Sequence, residues 1–187
     1  DLGGLRSLPD LVILCPASPM EVKKATIAAY EYDGPVYLRL GTNKEPEVYG
    51  GDYLFEIGKG ITMREGNDIT LIGTGRILKD VLDAAELLQK EGMQTRVINL
   101  HTIKPIDKEI IWKAIEETGR LITVEDHSVI GGIGSAVAEV IAEYGKAVKF
   151  KMLGLKDFSK GYGSYVQVKE HNGIGIPMIC NVARKMV

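Results

Sequence analysis

Two cysteines, Cys15 and Cys180, in 187 residues are too few for a disulfide framework, and neither belongs to a Cys-x-x-Cys pair. Both stand inside apolar stretches, which marks them as buried free thiols of a cytoplasmic protein. Aromatic residues make up only 6% of the chain, and 23 basic against 25 acidic residues leave a net charge of −2 without any basic block. A nucleic-acid surface needs a clustered positive stripe, so nucleic acid is excluded as a partner. No apolar run approaches the ~20 residues that cross a bilayer, so no membrane partner is expected. The histidines His101, His127 and His171 lie far apart without metal-ligand spacing, so no metal site is expected. A Gly-x-Ser-x-Gly elbow is also missing, which removes the usual basis for hydrolase chemistry.

What the chain does have is 45% hydrophobic residues, enough for one or two ordinary cores, and an alternation of short apolar runs with helix-spaced segments. Residues 11–15 form one buried strand. Ser18, Pro19 and Glu21 then give a helix start, with Ser18 as N-cap, Pro19 at the first helical position and Glu21 closing a capping box. Gly34-Pro35 stops that helix, and residues 36–40 form a second strand, which completes one βαβ crossover. Two parallel strands are too few for a sheet, so this segment is read as the end of an incomplete domain.

Residues 41–67 are glycine-rich and polar, as a linker would be, with room for a short hairpin. A complete alternation starts at Ile69. Strands are expected at 69–72, 96–100, 121–124 and 148–153. The helices between them carry Val81, Ala84 and Leu88, then Ile111 and Ala114 after an Asp107 cap, then the small residues Gly134, Ser135, Ala136 and Ala138. A segment at 164–171 and a helix opened by Pro177 end the chain. The fold class is therefore α/β, an open, mostly parallel sheet in a Rossmann-like three-layer arrangement, preceded by a partial α/β unit.

Three places carry candidate chemistry. Gly73-Thr74-Gly75 joins a strand to a helix, but Leu78 stands where a dinucleotide fingerprint needs its third glycine and no acidic residue ends the next strand, so a tight turn is the better reading. Glu125-Asp126-His127 gathers two carboxylates and an imidazole at a strand's carboxyl end, where α/β folds place ligands. It is read either as an acid–base or interface cluster or as a polar turn that caps the next helix. Arg39, followed by Gly41-Thr42-Asn43, could clamp an anionic group, or could make a surface ion pair. Lys156, Lys160 and Lys169 are read as solvated surface.

The run Leu121-Ile122-Thr123-Val124-Glu125-Asp126-His127, continued through Gly131-Gly132 to Glu139, resembles the third strand and following helix of the transketolase C-terminal domain. Leu5-Arg6-Ser7-Leu8-Pro9-Asp10, with the strand after it and Pro16-Ala17-Ser18, resembles a second element of that family, with Ser18 where the family has Asp. Gly34-Pro35-Val36-Tyr37-Leu38-Arg39-Leu40-Gly41 is similar to the closing strand of the family's pyrimidine-binding domain, and Lys104-Pro105-Ile106-Asp107 to its Lys-Pro-Ile/Leu-Asp turn.

The resemblance implies a pyrimidine-domain remnant at 1–45, a linker at 46–67 and the C-terminal domain at 68–187. It implies the C-terminal part of a transketolase of the pentose phosphate pathway, whose complete form uses thiamine diphosphate and Mg²⁺ to transfer a two-carbon ketol unit between sugar phosphates. The cofactor-activating Glu is expected upstream of the matched region. This chain alone is therefore expected to be inactive, to hold no catalytic residue and to bind no cofactor. Arg39 would be its substrate contact, and Glu125, Asp126 and His127 its interface or regulatory residues. An N-terminal section or subunit and a second copy in a homodimer are the implied partners. The resemblance also admits a 2-oxo-acid dehydrogenase E1 β subunit or a 1-deoxyxylulose-5-phosphate synthase; outside the superfamily, the alternative is a non-catalytic α/β binding module.

Overall fold

The computed structural model describes residues 1–41, 45–159 and 161–187, so Thr42, Asn43, Lys44 and Lys160 lie outside the described residues. Its main sheet has five strands: β3 (Ile61–Arg64), β4 (Ile69–Gly73), β5 (Thr95–Asn99), β7 (Arg120–Ser128) and β8 (Lys149–Leu155), in the order β3-β5-β4-β7-β8. β4 pairs in parallel with β5 and β7, and β7 with β8, while β3 runs antiparallel to β5. One face is covered by α3 (Leu78–Lys90) and α7 (Ile176–Met186), whose Val81, Ala84, Leu88, Ile179 and Ala183 join one core. The other is covered by α4 (Lys108–Thr118) and α5 (Ile133–Tyr144) through Ile111, Ala114, Ile133 and Val137. With helices on both faces, every residue of β4 and β5 is buried. Mainly apolar runs such as Ile69-Thr70-Leu71-Ile72 answer that demand, each large apolar side chain contributing roughly 1.5–3 kcal/mol, while the Thr70 hydroxyl is satisfied by Thr118.

The helix ends are set locally. Asp107 accepts the Ile110 N–H at 3.2 Å, and α4 stops at Gly119, whose φ of 62° suits a residue without a Cβ.

A smaller sheet holds β1 (Val12–Leu14) between β2 (Val36–Leu38), parallel to it, and β6 (Thr102–Lys104), antiparallel. β1 alternates between two cores, as a strand's period of two requires. Val12 and Leu14 pack with Ala25 of α2 (Pro19–Glu31), whereas Ile13 joins the core beneath α4 and α5, along with Leu2 of the short α1 (Leu2–Leu5). Among the described residues no helix is long and apolar enough to cross a membrane.

Several expectations change. Among its described residues the 41–67 stretch forms no hairpin of its own; its β3 extends the main sheet as an antiparallel edge. The capping box at Ser18 is half made. Ser18 accepts the Glu21 N–H at 3.5 Å, but the Glu21 carboxylate takes the Ala17 N–H instead of the one on Ser18. Glu21 is fully buried, where the Tyr49 and Tyr53 hydroxyls and the Asn99 amide also donate to it. Lys169, expected in solvent, is buried in an ion pair with Asp80. Lys169 is the one buried residue of α6 (Tyr165–His171), turned towards α3, and a buried ammonium needs a carboxylate. Lys156 is exposed, as expected.

Candidate functional site

Arg39 follows directly on β2, and its backbone N–H donates to Leu14 at 2.8 Å, which fixes the side chain's origin beside β1. Its Nη1 donates to Asp126 Oδ1 at 3.1 Å, its Nη2 to the Asp126 carbonyl at 3.4 Å and its Nε to Asp1 Oδ2 at 2.9 Å. Burial is the largest influence and opposes the charge, but its neighbours, Asp126 foremost, together hold the guanidinium above its ordinary pKa.

Glu125, Asp126 and His127 lie within β7, which continues as a strand to Ser128 rather than turning after Val124. Alternation therefore separates their roles. Glu125 points inward at 1% exposure and accepts the N–H groups of Ile133 at 2.9 Å and Gly134 at 3.0 Å. It thus caps α5 from another strand, since the N-cap residue Gly132 has no side chain to do so. A Cβ at Gly132 would stand 1.8 Å from Glu125 Oε2, which explains the glycine. Burial pushes the Glu125 carboxyl up to about 7, against those two backbone bonds. His127 Nδ1 donates to the Ser128 carbonyl at 2.8 Å, and Nε2 lies 3.1 Å from Asp1 Oδ1. Burial lowers the imidazole pKa. Asp126 alone faces Arg39, and also accepts the Tyr165 hydroxyl at 3.3 Å.

The first parallel strand of the main sheet, β4, has β5 on one side and β7 on the other, so its carboxyl end is the topological switch point where open α/β sheets bind ligands. Here the N-terminal segment occupies that position. The Gly75 N–H donates to Cys15 O at 3.0 Å, and the Thr74 hydroxyl to Leu100 O at 2.8 Å. Gly73-Thr74-Gly75 is therefore a closed turn, with Gly75 at φ 59°. What remains open is a cavity of about 280 Å³ whose lining includes Pro16, Tyr37, Arg39, Gly75, Arg76 and Asp126.

The structure thus joins Arg39 to Asp126, while Glu125 is committed to the helix and His127 to the backbone and Asp1. Sequence reading missed Arg76, whose guanidinium stacks on the Tyr165 ring at 3.5 Å, and the buried Glu21 cluster. Arg76 does follow the Gly-Thr-Gly turn, a signal available in the sequence. Nothing local announces Tyr165.

Residues 58–179 match the family model described as transketolase, C-terminal domain. The chain belongs to this family. One apulose-4-phosphate transketolase subunit, from Phocaeicola vulgatus, is 36% identical over 188 residues, covering 100% of the chain and 60% of that relative. A 1-deoxy-D-xylulose-5-phosphate synthase of Heliobacterium modesticaldum is 34% identical over 188 residues, 100% of the chain and 29% of the synthase. A solved split-gene transketolase, an inactive beta4 tetramer, superposes with a TM-score of 0.94 at 35% identity, over 99% of this chain and 60% of that one. The chain thus spans about three-fifths of the length of the Phocaeicola relative, and its mostly parallel α/β architecture is that of the family's C-terminal domain.

Proposed function

We propose that this chain is the C-terminal part of a transketolase. With an N-terminal section or subunit it forms a cytoplasmic enzyme that transfers a two-carbon ketol unit between sugar phosphates, as in the pentose phosphate pathway. The complete form pairs as a two-fold homodimer. Residues 1–45 are the end of the pyrimidine-binding domain, 46–67 a linker and 68–187 the C-terminal domain. The family match and the relatives named as transketolase subunits support this reading.

Thiamine diphosphate with Mg²⁺ supplies the electron sink for such chemistry. The described residues do not fit that group: no three His, Cys, Asp or Glu side chains converge as a metal site, Asp126 is held by Arg39, and Glu125 by the α5 backbone. The reacting centre on this reading lies in the partner section, and calorimetric titration of the chain alone with cofactor and Mg²⁺ should give no heat of binding. A micromolar dissociation constant would sink it.

The observation that carries the assignment of a substrate role is Arg39 at the mouth of a cavity outside the strands' carboxyl ends. There the guanidinium receives a phosphate oxygen of the substrate, oriented meanwhile by Asp126. Glu125 and His127 hold the adjoining β7–α5 connection and serve the subunit interface. In the complete assembly, Arg39→Ala should weaken phosphorylated substrates about 10- to 150-fold, and unphosphorylated ones much less. Equal losses on both would reduce Arg39 to a structural ion pair.

A second reading, 1-deoxyxylulose-5-phosphate synthase, is favoured by the Heliobacterium relative. Assay of the assembly with pyruvate and glyceraldehyde 3-phosphate, against ketose and aldose phosphates, separates the two.

A further inference from the structure

Arg39 is not the only guanidinium on the cavity. Arg76 lines the same space from the opposite segment, just past the β4 turn. Like charges on one small cavity repel and both side chains are long, so the placement of two guanidinia there calls for an element that holds them. That element is α6. The Tyr165 ring lies 3.5 Å from Arg76 Cζ, a cation–π stack, while its hydroxyl donates to Asp126 at 3.3 Å. Asp126 in turn orients Arg39 at 3.1 Å. One tyrosine therefore touches both arms, one directly and one through a carboxylate.

The anchor of α6 is equally specific. Lys169, one turn on from Tyr165, is buried in its ion pair with Asp80 in the first turn of α3, and its ammonium lies 5.0 Å from the Tyr165 ring centroid. Ser164 and Gln167 close a capping box at the start of the helix. A buried charge pair is a poor source of stability but a good source of registry, since a helix shifted by one residue would leave both charges unpaired. Arg76 also lies 3.7 Å from Glu45 through its Nε, and Arg39 is compensated by Asp126 and Asp1. The arginines are thus held in place before any ligand arrives, which lowers the ordering cost of binding.

We infer that Arg76 is a second contact for the substrate phosphate beside Arg39, and that Tyr165 is the positioning residue that holds both guanidinia for it. This rests on the substrate role proposed for Arg39. The C-terminal domain then takes part directly in recognising the phosphate, through a residue at its switch point, and α6 sets specificity for phosphorylated over unphosphorylated substrates.

The test uses the complete assembly. Arg76→Ala and Tyr165→Leu should each raise KM for a phosphorylated substrate about 3- to 10-fold, leaving kcat and the KM for its unphosphorylated analogue within about twofold. Tyr165→Phe, which keeps the ring and loses the hydroxyl, should fall between Tyr165→Leu and the parent. A lower melting temperature with both KM values unchanged would make Tyr165 merely structural and overturn the proposal. Selective loss in Arg39→Ala without selective loss in Arg76→Ala overturns this inference alone, whereas unselective loss in Arg39→Ala overturns the reading beneath it. A second measurement does not depend on turnover or on folding of variants. Inorganic phosphate should protect both Arg39 and Arg76 of the parent protein from phenylglyoxal, read by peptide mass spectrometry. Equal modification of Arg76 with and without phosphate would contradict the inference.

Discussion

The two sheets of this protein solve burial differently. In the five-stranded sheet, helices cover both faces, and every residue of β4 and β5 is buried. In the three-stranded sheet only β1 is fully buried; β2 is half-buried along its length, and Tyr30 on the accompanying α2 is 90% exposed. β1 owes part of its burial to the other region, since Ile13 lies in the core beneath α4 and α5, and β6, which flanks it, belongs to the connection leading into α4. The larger sheet supplies most of its own cover, and the smaller one is a layer laid on it that adds Leu2, Ile13 and Cys15 to one of its cores. A parallel pair of strands cannot do better, because its second face needs a cover that α2 alone does not supply.

That difference should be largest in the response to side-chain truncation. Ile72→Ala in β4 is expected to cost about 2–5 kcal/mol, since it leaves a cavity in a fully packed core, and Val36→Ala in β2 about 1 kcal/mol or less. Urea unfolding midpoints measure both; comparable losses would mean that the two sheets are packed alike.

The seam between the regions should respond next. Gly131 has φ 76°, and a Cβ there would stand 2.5 Å from Gly3 Cα, while the Gly131 carbonyl accepts from Arg6 Nη1 at 3.2 Å. Gly131→Ala combines a strained backbone with a main-chain collision, and is expected to cost about 1–3 kcal/mol. Hydrogen exchange should show the added opening in α1 and at the start of α5 rather than in β4. A uniform change across the sheet would place the seam elsewhere.

The smallest effect is a change of slope with pH. Burial raises the Glu125 carboxyl from 4.5 to about 7 and lowers His101 from 6.5 to about 4. Between pH 4.5 and 7 the folded protein keeps a proton on Glu125 that the unfolded chain has released, so stability falls as pH rises through that window. His101 acts in the opposite sense: the unfolded chain binds its proton first, so stability falls as pH drops from 6.5 towards 4. In the parent the two slopes oppose each other between pH 4.5 and 6.5. Glu125→Gln removes the first, so its unfolding midpoint should rise with pH between 4.5 and 6.5 more steeply than the parent's. Parallel profiles would show that Glu125 does not titrate in this range.

Much of the fold was legible because its signals are local. The Asp107 cap and the Gly119 stop are decided within a few residues of each other, and the runs at Ile69 and Leu121 announce buried strands by composition. The candidate site was legible only as separate parts. Arg39 and Asp126 both stand at strand ends, yet 87 positions separate them, and no spacing rule predicts that they meet. Glu21 looked like a helix cap because Ser18 stands three residues before it; that it also collects Tyr49, Tyr53 and Asn99 depends on where β5 ends in space. Lys169 looked solvated because it stands among exposed, polar residues close to several glycines; Asp80, its partner, lies 89 positions away.

The sequence by itself thus determined the alternation of strands and helices, the caps that bound them and the resemblance that names the family, since each rests on periodicity or on short runs of residues. Only the tertiary structure decided that the switch-point crevice is covered by Cys15 and Pro16, that Glu125 serves a helix while Asp126 serves an arginine, and that Tyr165 reaches two guanidinia. Those outcomes follow from which strands lie side by side and which face each residue of β7 presents, and a parallel sheet brings together residues that the chain keeps far apart.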